Sequence, residues 1–169
     1  MTNPTSTSWQ APAPPPPGPA PGYVFGDFAP RLVAYLIDVV IVIGAVIAVV
    51  VAWALLAAAS GGIGADYLSG GAAGGLVFVL AIAIPLITIG YFPWFWARSG
   101  ATPGMRSQGL KVVRDADGGP ISTGQALLRL IGYWISGAVF YLGYIWILVD
   151  KRRRGWHDLI AGTVVIKEA

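Results

Sequence analysis

Pro30-Arg31-Leu32-Val33-Ala34-Tyr35-Leu36-Ile37-Asp38 opens the stretch that decides the fold. From Leu32 to Ala59 the one charged residue is Asp38, and the rest is almost wholly aliphatic or alanine. A helix needs about 20 apolar residues to cross the hydrocarbon core of a bilayer, and this run exceeds that. The run Tyr67–Ala97 carries no charge at all, so the spacing predicts a second span over 71–97 beside a first over 32–59. The connector Ser60–Gly70 is short, rich in glycine and free of Lys and Arg, which makes the two spans a transmembrane hairpin. Pro85 and Pro93 in the second run each remove a backbone donor, and a bend is expected there. Gly44, Ala48 and Ala52 form a small-residue stripe that would let another helix approach the first span closely.

Composition agrees with this. Of the 169 residues 56% are hydrophobic and 11% charged, against about 25% charged in a soluble domain. Cysteine is absent and His157 is the one histidine, so disulfides, thiolate metal sites, a Cys nucleophile and multi-histidine metal centres are excluded. The net charge of +3 gives no reason to expect nucleic acid. Residues 1–22 hold eight prolines and read as a disordered, proline-rich cytoplasmic tail ahead of a membrane domain over 23–169.

A third uncharged run, Leu130–Val149, is barely long enough to span and is interrupted by Gly132, Gly137 and Gly143. Basic residues set the orientation. The N-terminal arm has Arg31, the 60–70 connector none, the 98–129 segment five and the C-terminal end five. Positive charge therefore places both termini and the 98–129 segment in the cytoplasm. Three complete crossings would put Lys151, Arg152, Arg153 and Arg154 outside. The segment 122–149 is accordingly read as a broken, re-entrant helical pair turning near Gly137 and Gly143, with three full spans as the alternative. Tyr91-Phe92-Pro93-Trp94-Phe95-Trp96 reads as an interfacial aromatic belt. Residues 109–114 and 163–167 read as strands pairing in a small two-stranded cytoplasmic sheet, with Ser122 or Thr123 capping the helix after the first. The fold class is an all-α membrane protein with that sheet appended.

The polar residues near the membrane carry any function. Asp38 lies about 10 Å along the helix from Arg31 and needs a partner. Helical side chains lean toward the N-terminus, so Arg31 reaches away from it. Arg129, among leucines where the third segment begins, is the expected partner, with the hydroxyls of Tyr133 or Tyr141 as weaker candidates. Arg31 is free to meet Asp158. Arg31, Asp38, Arg129 and Asp158 thus form a candidate buried cluster, which is either an ion or ligand route or an ion-pair lock between helices. Asp38 has the chemistry to hold a hard cation, but too few oxygen ligands recur nearby for a metal site. Lys151–Arg154 reads as a basic run facing anionic lipid. No nucleophile–base pair, HExxH motif or P-loop appears, so neither enzymatic activity nor a cofactor is expected.

These motifs resemble the RDD family of small bacterial membrane proteins. The resemblance rests on Pro30–Asp38, on Thr102-Pro103-Gly104 followed by Gly109–Val113, on Ala126-Leu127-Leu128-Arg129, and on Asp150–Val165. It covers about residues 26–167 and implies that Arg31, Asp38 and Asp158 are the arginine and two aspartates that name the family. Met105 stands where the family usually has Lys or Arg. The resemblance implies a multi-pass protein of the cell membrane, with transport of ions or small ligands as the general suggestion. A homo-oligomer or a membrane-protein partner is expected, because a hairpin offers few walls for a pathway. The alternative is a scaffold that binds partners or lipid.

Overall fold

The computed structural model describes residues 22–59 and 71–168. The proline-rich tail before Gly22, the connector 60–70 and Ala169 lie outside the described residues, and so do the expectations that fall on them.

Helix α1 runs Phe28–Ala59 and helix α2 Gly71–Ser99. At 32 and 29 residues they are roughly 48 and 44 Å long. Both are long and apolar enough to cross a membrane, and nothing in their most apolar windows is buried inside the protein. Leu36, Val40, Leu56 and Phe78 all point outward. The stripe Gly44, Ala48 and Ala52 is exposed as well. Helix α2 keeps Pro85 and Pro93 inside one continuous element.

The polar end of the hairpin carries everything else. Strand β1 is Tyr23–Phe25, helix α3 Pro103–Ser107, strand β2 Leu110–Arg114, helix α4 Thr123–Ala138, helix α5 Leu142–Ile145 with a 3₁₀ turn over Trp146–Leu148, helix α6 Trp156–Ala161, and strand β3 Thr163–Glu168. Ser122 caps α4 in a capping box. Its hydroxyl accepts from Gln125 N at 3.2 Å, and Gln125 Oε1 accepts from Ser122 N at 3.1 Å.

The sheet has three strands, not two. Its order is β1-β3-β2, antiparallel throughout, with Val112 opposite Val165 and Phe25 opposite Ile166. Tyr23-Val24-Phe25 sits between glycines and after a proline-rich run, so no alternation was long enough to reveal it. One face of the sheet, with Leu110, Val112 and Val165, joins Ala34, Trp96, Ala126 and Leu130 in the main core. The other face gathers Val113, Val164, Ile166 and Phe25. The Arg152 guanidinium lies 5.6 Å over the Phe25 ring.

The third apolar segment is broken. Thr123–Ala138 and Leu142–Leu148 meet at 113°. The turn falls between the two glycines expected to make it, at Phe140 (φ 48°) and Tyr141 (φ 61°), both left-handed. Gly143 has a different task. A β-carbon there would lie 2.6 Å from Ser136 Cβ, so its absence lets the arms close on each other. The aromatic run 91–96 also divides. Trp96 is buried in the core, while Trp94 faces out with the Arg98 guanidinium 5.4 Å from its ring.

Candidate functional site

Two carboxylates organise the polar end, and they do so separately. Asp158 is the third residue of α6 and reaches back to its N-terminus, where Oδ2 accepts from Gly155 N at 3.0 Å. The same oxygen accepts from Arg31 Nη1 at 2.6 Å, and Oδ1 accepts from Arg129 Nη1. Each guanidinium is pinned further. Arg31 Nε donates to Gly26 O at 2.9 Å and its Nη2 to Arg153 O at 2.6 Å. Arg129 Nη1 also donates to Thr163 Oγ1 at 2.8 Å. One buried carboxylate thereby ties α1, α4, α6 and β3 to the loop before α6.

Burial alone would raise the Asp158 pKa. The cations Arg129 and Arg31, with His157 and the Gly155 N–H, reverse this and hold it well below the ordinary carboxylate range. His157 next door is fully buried, stacked on Tyr133 with centroids 4.0 Å apart, and its Nε2 lies 3.5 Å from Asp158 Oδ2. Among the described residues neither ring nitrogen has a hydrogen-bond partner. Burial pushes its pKa down to about 3, helped by Arg129 and Arg31 and opposed by Asp158, so the imidazole is neutral at pH 7.

Asp38 stands apart from that cluster. Among the described residues no Lys or Arg lies within ion-pair distance of it, so the expected pairing with Arg129 does not form. Nor do Tyr133 and Tyr141 serve. Three neutral donors replace them: Tyr91 Oη to Oδ1 at 2.8 Å, Gly104 N to Oδ1 at 2.9 Å and Thr102 Oγ1 to Oδ2 at 2.5 Å. The Thr-Pro-Gly motif supplies two of them through local geometry. Thr102 caps α3, its hydroxyl accepting from Met105 N at 3.2 Å while donating to Asp38. Pro103 at the first helical position loses no bond there. Gly104 lets α3 touch α1: a β-carbon there would overlap the Ala34 carbonyl oxygen and lie 2.8 Å from Asp38 Cγ. Arg129 is taken by Asp158 instead because α6 packs against α4.

Both centres open on one cavity of about 150 Å³, lined by Asp38 and Thr102 as well as by Arg31, Arg129, Trp96 and Tyr133. Beside it a more apolar cavity of about 280 Å³ shares Arg31, Tyr35, Tyr133 and Tyr144.

The basic run folds back on acids. Arg152 Nη2 lies 2.5 Å from Asp115 Oδ1, Arg154 pairs with both Asp115 and Asp150 at 3.1 Å, and Arg153 pairs with Asp27 at 3.1 Å. Lys151 is exposed and has no ion pair among the described residues. No group of three or more His, Asp or Glu among the described residues is placed to hold a metal ion.

The RDD family model matches residues 25–162, a stretch that holds Arg31, Asp38 and Asp158. The chain belongs to the RDD family. It is 40% identical over 65 residues to YxaI of Bacillus subtilis (strain 168), a match covering 38% of this chain and 42% of that protein. No solved structure matches it. Within this RDD chain Arg31 and Asp158 pair directly, while Asp38 anchors the Thr-Pro-Gly helix. Tyr91, Thr102, Gly104 and Thr163 were not singled out from sequence as site residues. A Thr-Pro pair is a helix-start signal, and it could have marked Thr102.

Proposed function

We propose that this RDD chain is a multi-pass protein of the cell membrane that transports an ion or small polar ligand by way of the cavity shared by Asp38 and Arg129. The shared cavity carries this reading. Charged groups submerged beside apolar spans are costly, and a hollow between them is where a solute finds polar partners. The sheet supports this topology. Strands β1, β2 and β3 belong to one sheet, which favours placing residues 23, 114 and 168 on one side of the membrane. With α1 and α2 as full crossings, the bent α4–α5 pair then enters and leaves on that side. The lysines and arginines flanking the spans favour the cytoplasm. No catalytic step is assigned, since each carboxylate is already engaged by at least three donors.

The test is uptake into vesicles of reconstituted protein, scanned over alkali cations, protons and radiolabelled small polar solutes. Uptake above empty vesicles that falls in Asp38→Asn supports the reading. Uptake that matches empty vesicles throughout, or is unchanged in Asp38→Asn and Asp158→Asn, rejects it.

A second reading is a membrane scaffold, favoured by the way Asp158 clamps several elements and draws Arg31 and Arg129 into structural bonds. Here Lys151, next to exposed Leu148 and Val149, would meet anionic headgroups. Vesicle binding that depends on Lys151 and persists without any solute flux favours this second role. A homo-oligomer is proposed under either reading, because a hairpin and a half-inserted pair enclose little space; cross-linking in native membranes tests it.

A further inference from the structure

Helix α1 packs on α2 and α3, and the bent pair packs on α2 and α6. Between α1 and α5 lies the more apolar cavity, of about 280 Å³. Phe28, Leu32 and Tyr35 line it from α1, where spacings of four and three residues put them on one face. Tyr141 and Ile145 line it from the bent pair, over a floor that includes buried Ile147. Leu32, Tyr35, Tyr141 and Ile145 are all exposed, so the rim is open and apolar. From Phe28 to Tyr35 the cleft follows α1 for about 10 Å. One end is cationic. Asp27, just before Phe28, pairs with Arg153 at 3.1 Å, and Arg31, which lines the cleft, donates to the Arg153 carbonyl at 2.6 Å. Arg153 shares a surface hollow with exposed Leu148 and Val149 and with Lys151, which has no ion pair among the described residues.

We infer that this cleft holds one acyl chain of an anionic glycerophospholipid of the bilayer, with the lipid's phosphate at Lys151 and Arg153. A cavity of about 280 Å³ spread over about 10 Å has a cross-section of about 28 Å². An extended hydrocarbon chain is that slender. A helix of a second copy, about 10 Å across with its side chains, is not. A water-soluble ligand would have to enter through an apolar rim between two membrane-embedded elements, whereas a lipid of the same leaflet is already there. The tail gains little by leaving other tails for this cleft. Selection therefore falls to the headgroup: Asp27 answers Arg153, and Lys151 remains as the surplus cation that an anionic lipid neutralises. The inference deepens the headgroup contact proposed for Lys151. It rests on the placement of α1 and the bent pair in the bilayer, and not on transport.

The test titrates the full chain, purified in detergent, with dioleoyl phosphatidylglycerol and counts bound lipids by native mass spectrometry. One adduct per chain should saturate first, and dioleoyl phosphatidylcholine should bind there on the order of tenfold more weakly. Leu32→Trp and Ile145→Trp narrow the cleft from opposite walls at exposed positions. Each should weaken the first adduct on the order of tenfold and keep the parent's unfolding transition. Lys151→Gln should leave phosphatidylcholine binding unchanged and bring phosphatidylglycerol down toward it. An even ladder of adducts with no site filled first, equal binding of the two lipids by the parent, or parent-like binding in both narrowed variants overturns the inference. So does displacement of the lipid by inorganic phosphate, or a dimer that carries no lipid, which gives the cleft to a second copy. The adduct is read without flux, so its absence leaves transport to the uptake assay, and a failed uptake assay leaves the lipid site standing.

Discussion

Gly104 gives its backbone N–H to Asp38 Oδ1 at 2.9 Å across a contact with no room for a side chain. The obstruction is backbone, the Ala34 carbonyl of α1, which cannot swing aside as a flexible side chain would. Gly104→Ala should push α3 off α1, lengthen the Asp38 bonds and lower stability by about 2–4 kcal/mol, combining overpacking with a weakened buried hydrogen bond. Unfolding of the purified chain in detergent measures it. A transition within about 0.5 kcal/mol of the parent, the size of a neutral surface change, would show the α1–α3 contact to be unimportant.

Asp158 pairs with two guanidiniums, so its loss is felt twice. Asp158→Asn leaves Arg129 buried without a counter-charge, and a broken buried pair costs about 3–5 kcal/mol. Arg31→Lys keeps the charge but loses the fork that reaches Asp158, Gly26 and Arg153 together. It should destabilise less than Asp158→Asn and more than an exposed Arg→Lys change such as Arg106→Lys. The ranking of the three unfolding midpoints checks this, and Asp158→Asn at the parent's midpoint contradicts it.

Acid should loosen this end of the molecule through His157. Its folded pKa is pushed down to about 3 from 6.5, so below pH 6.5 the unfolded chain binds a proton that the folded chain refuses. Stability from this group is complete above pH 6.5 and falls as pH drops toward 3, by up to about 1.4 kcal/mol per pH unit. Asp158, also depressed, adds its own loss only below the ordinary carboxylate range, near pH 4. His157→Phe retains a ring against Tyr133 and should flatten the slope between pH 6 and pH 4. Equal slopes for parent and variant over that window would rule out His157 as the cause.

How far the sequence could be read depends on the scale of each signal. The two long apolar helices were legible because charge is absent over twenty residues or more, and the Ser122–Gln125 box because its spacing is local. Arg31 with Asp158 was legible because α1 turns Arg31 away from Asp38. The partner of Asp38 was not. Its donors come from α3, a five-residue helix too short for periodicity, and from Tyr91, which lies within a run that read as a membrane-surface belt. A buried carboxylate needs no cation where several neutral donors hold it, and Asp38 has three. The turn in 122–149 falls between the two glycines expected near it, but the glycines do not make it: Gly143 is small in order to pack on Ser136, and the backbone reverses at Phe140 and Tyr141.

That reversal yields a prediction of its own. Left-handed geometry costs a residue with a β-carbon about 1–2 kcal/mol relative to glycine. Phe140 is 86% exposed and contributes no core packing, so Phe140→Gly should raise stability by about 1 kcal/mol. An alanine at the same place, which keeps the β-carbon, should not. If glycine and alanine behave alike, backbone strain is not what the bend stores.

The sheet makes the sharpest claim about orientation. Strand β3 bonds to β1 on one edge and β2 on the other, and backbone pairs of this kind cannot be divided by a bilayer. The chain has no cysteine, so single cysteines report cleanly. Tyr23→Cys, Asp117→Cys and Glu168→Cys all lie at exposed positions of this end. In sealed cells a membrane-impermeant maleimide should leave all three unlabelled and should label Gly64→Cys between the two spans. In inverted vesicles the pattern should reverse. Asp117→Cys and Glu168→Cys reacting from opposite sides would mean that 122–149 crosses completely, and the strand pairing with everything hung on it, the Asp158 clamp included, would have to be abandoned.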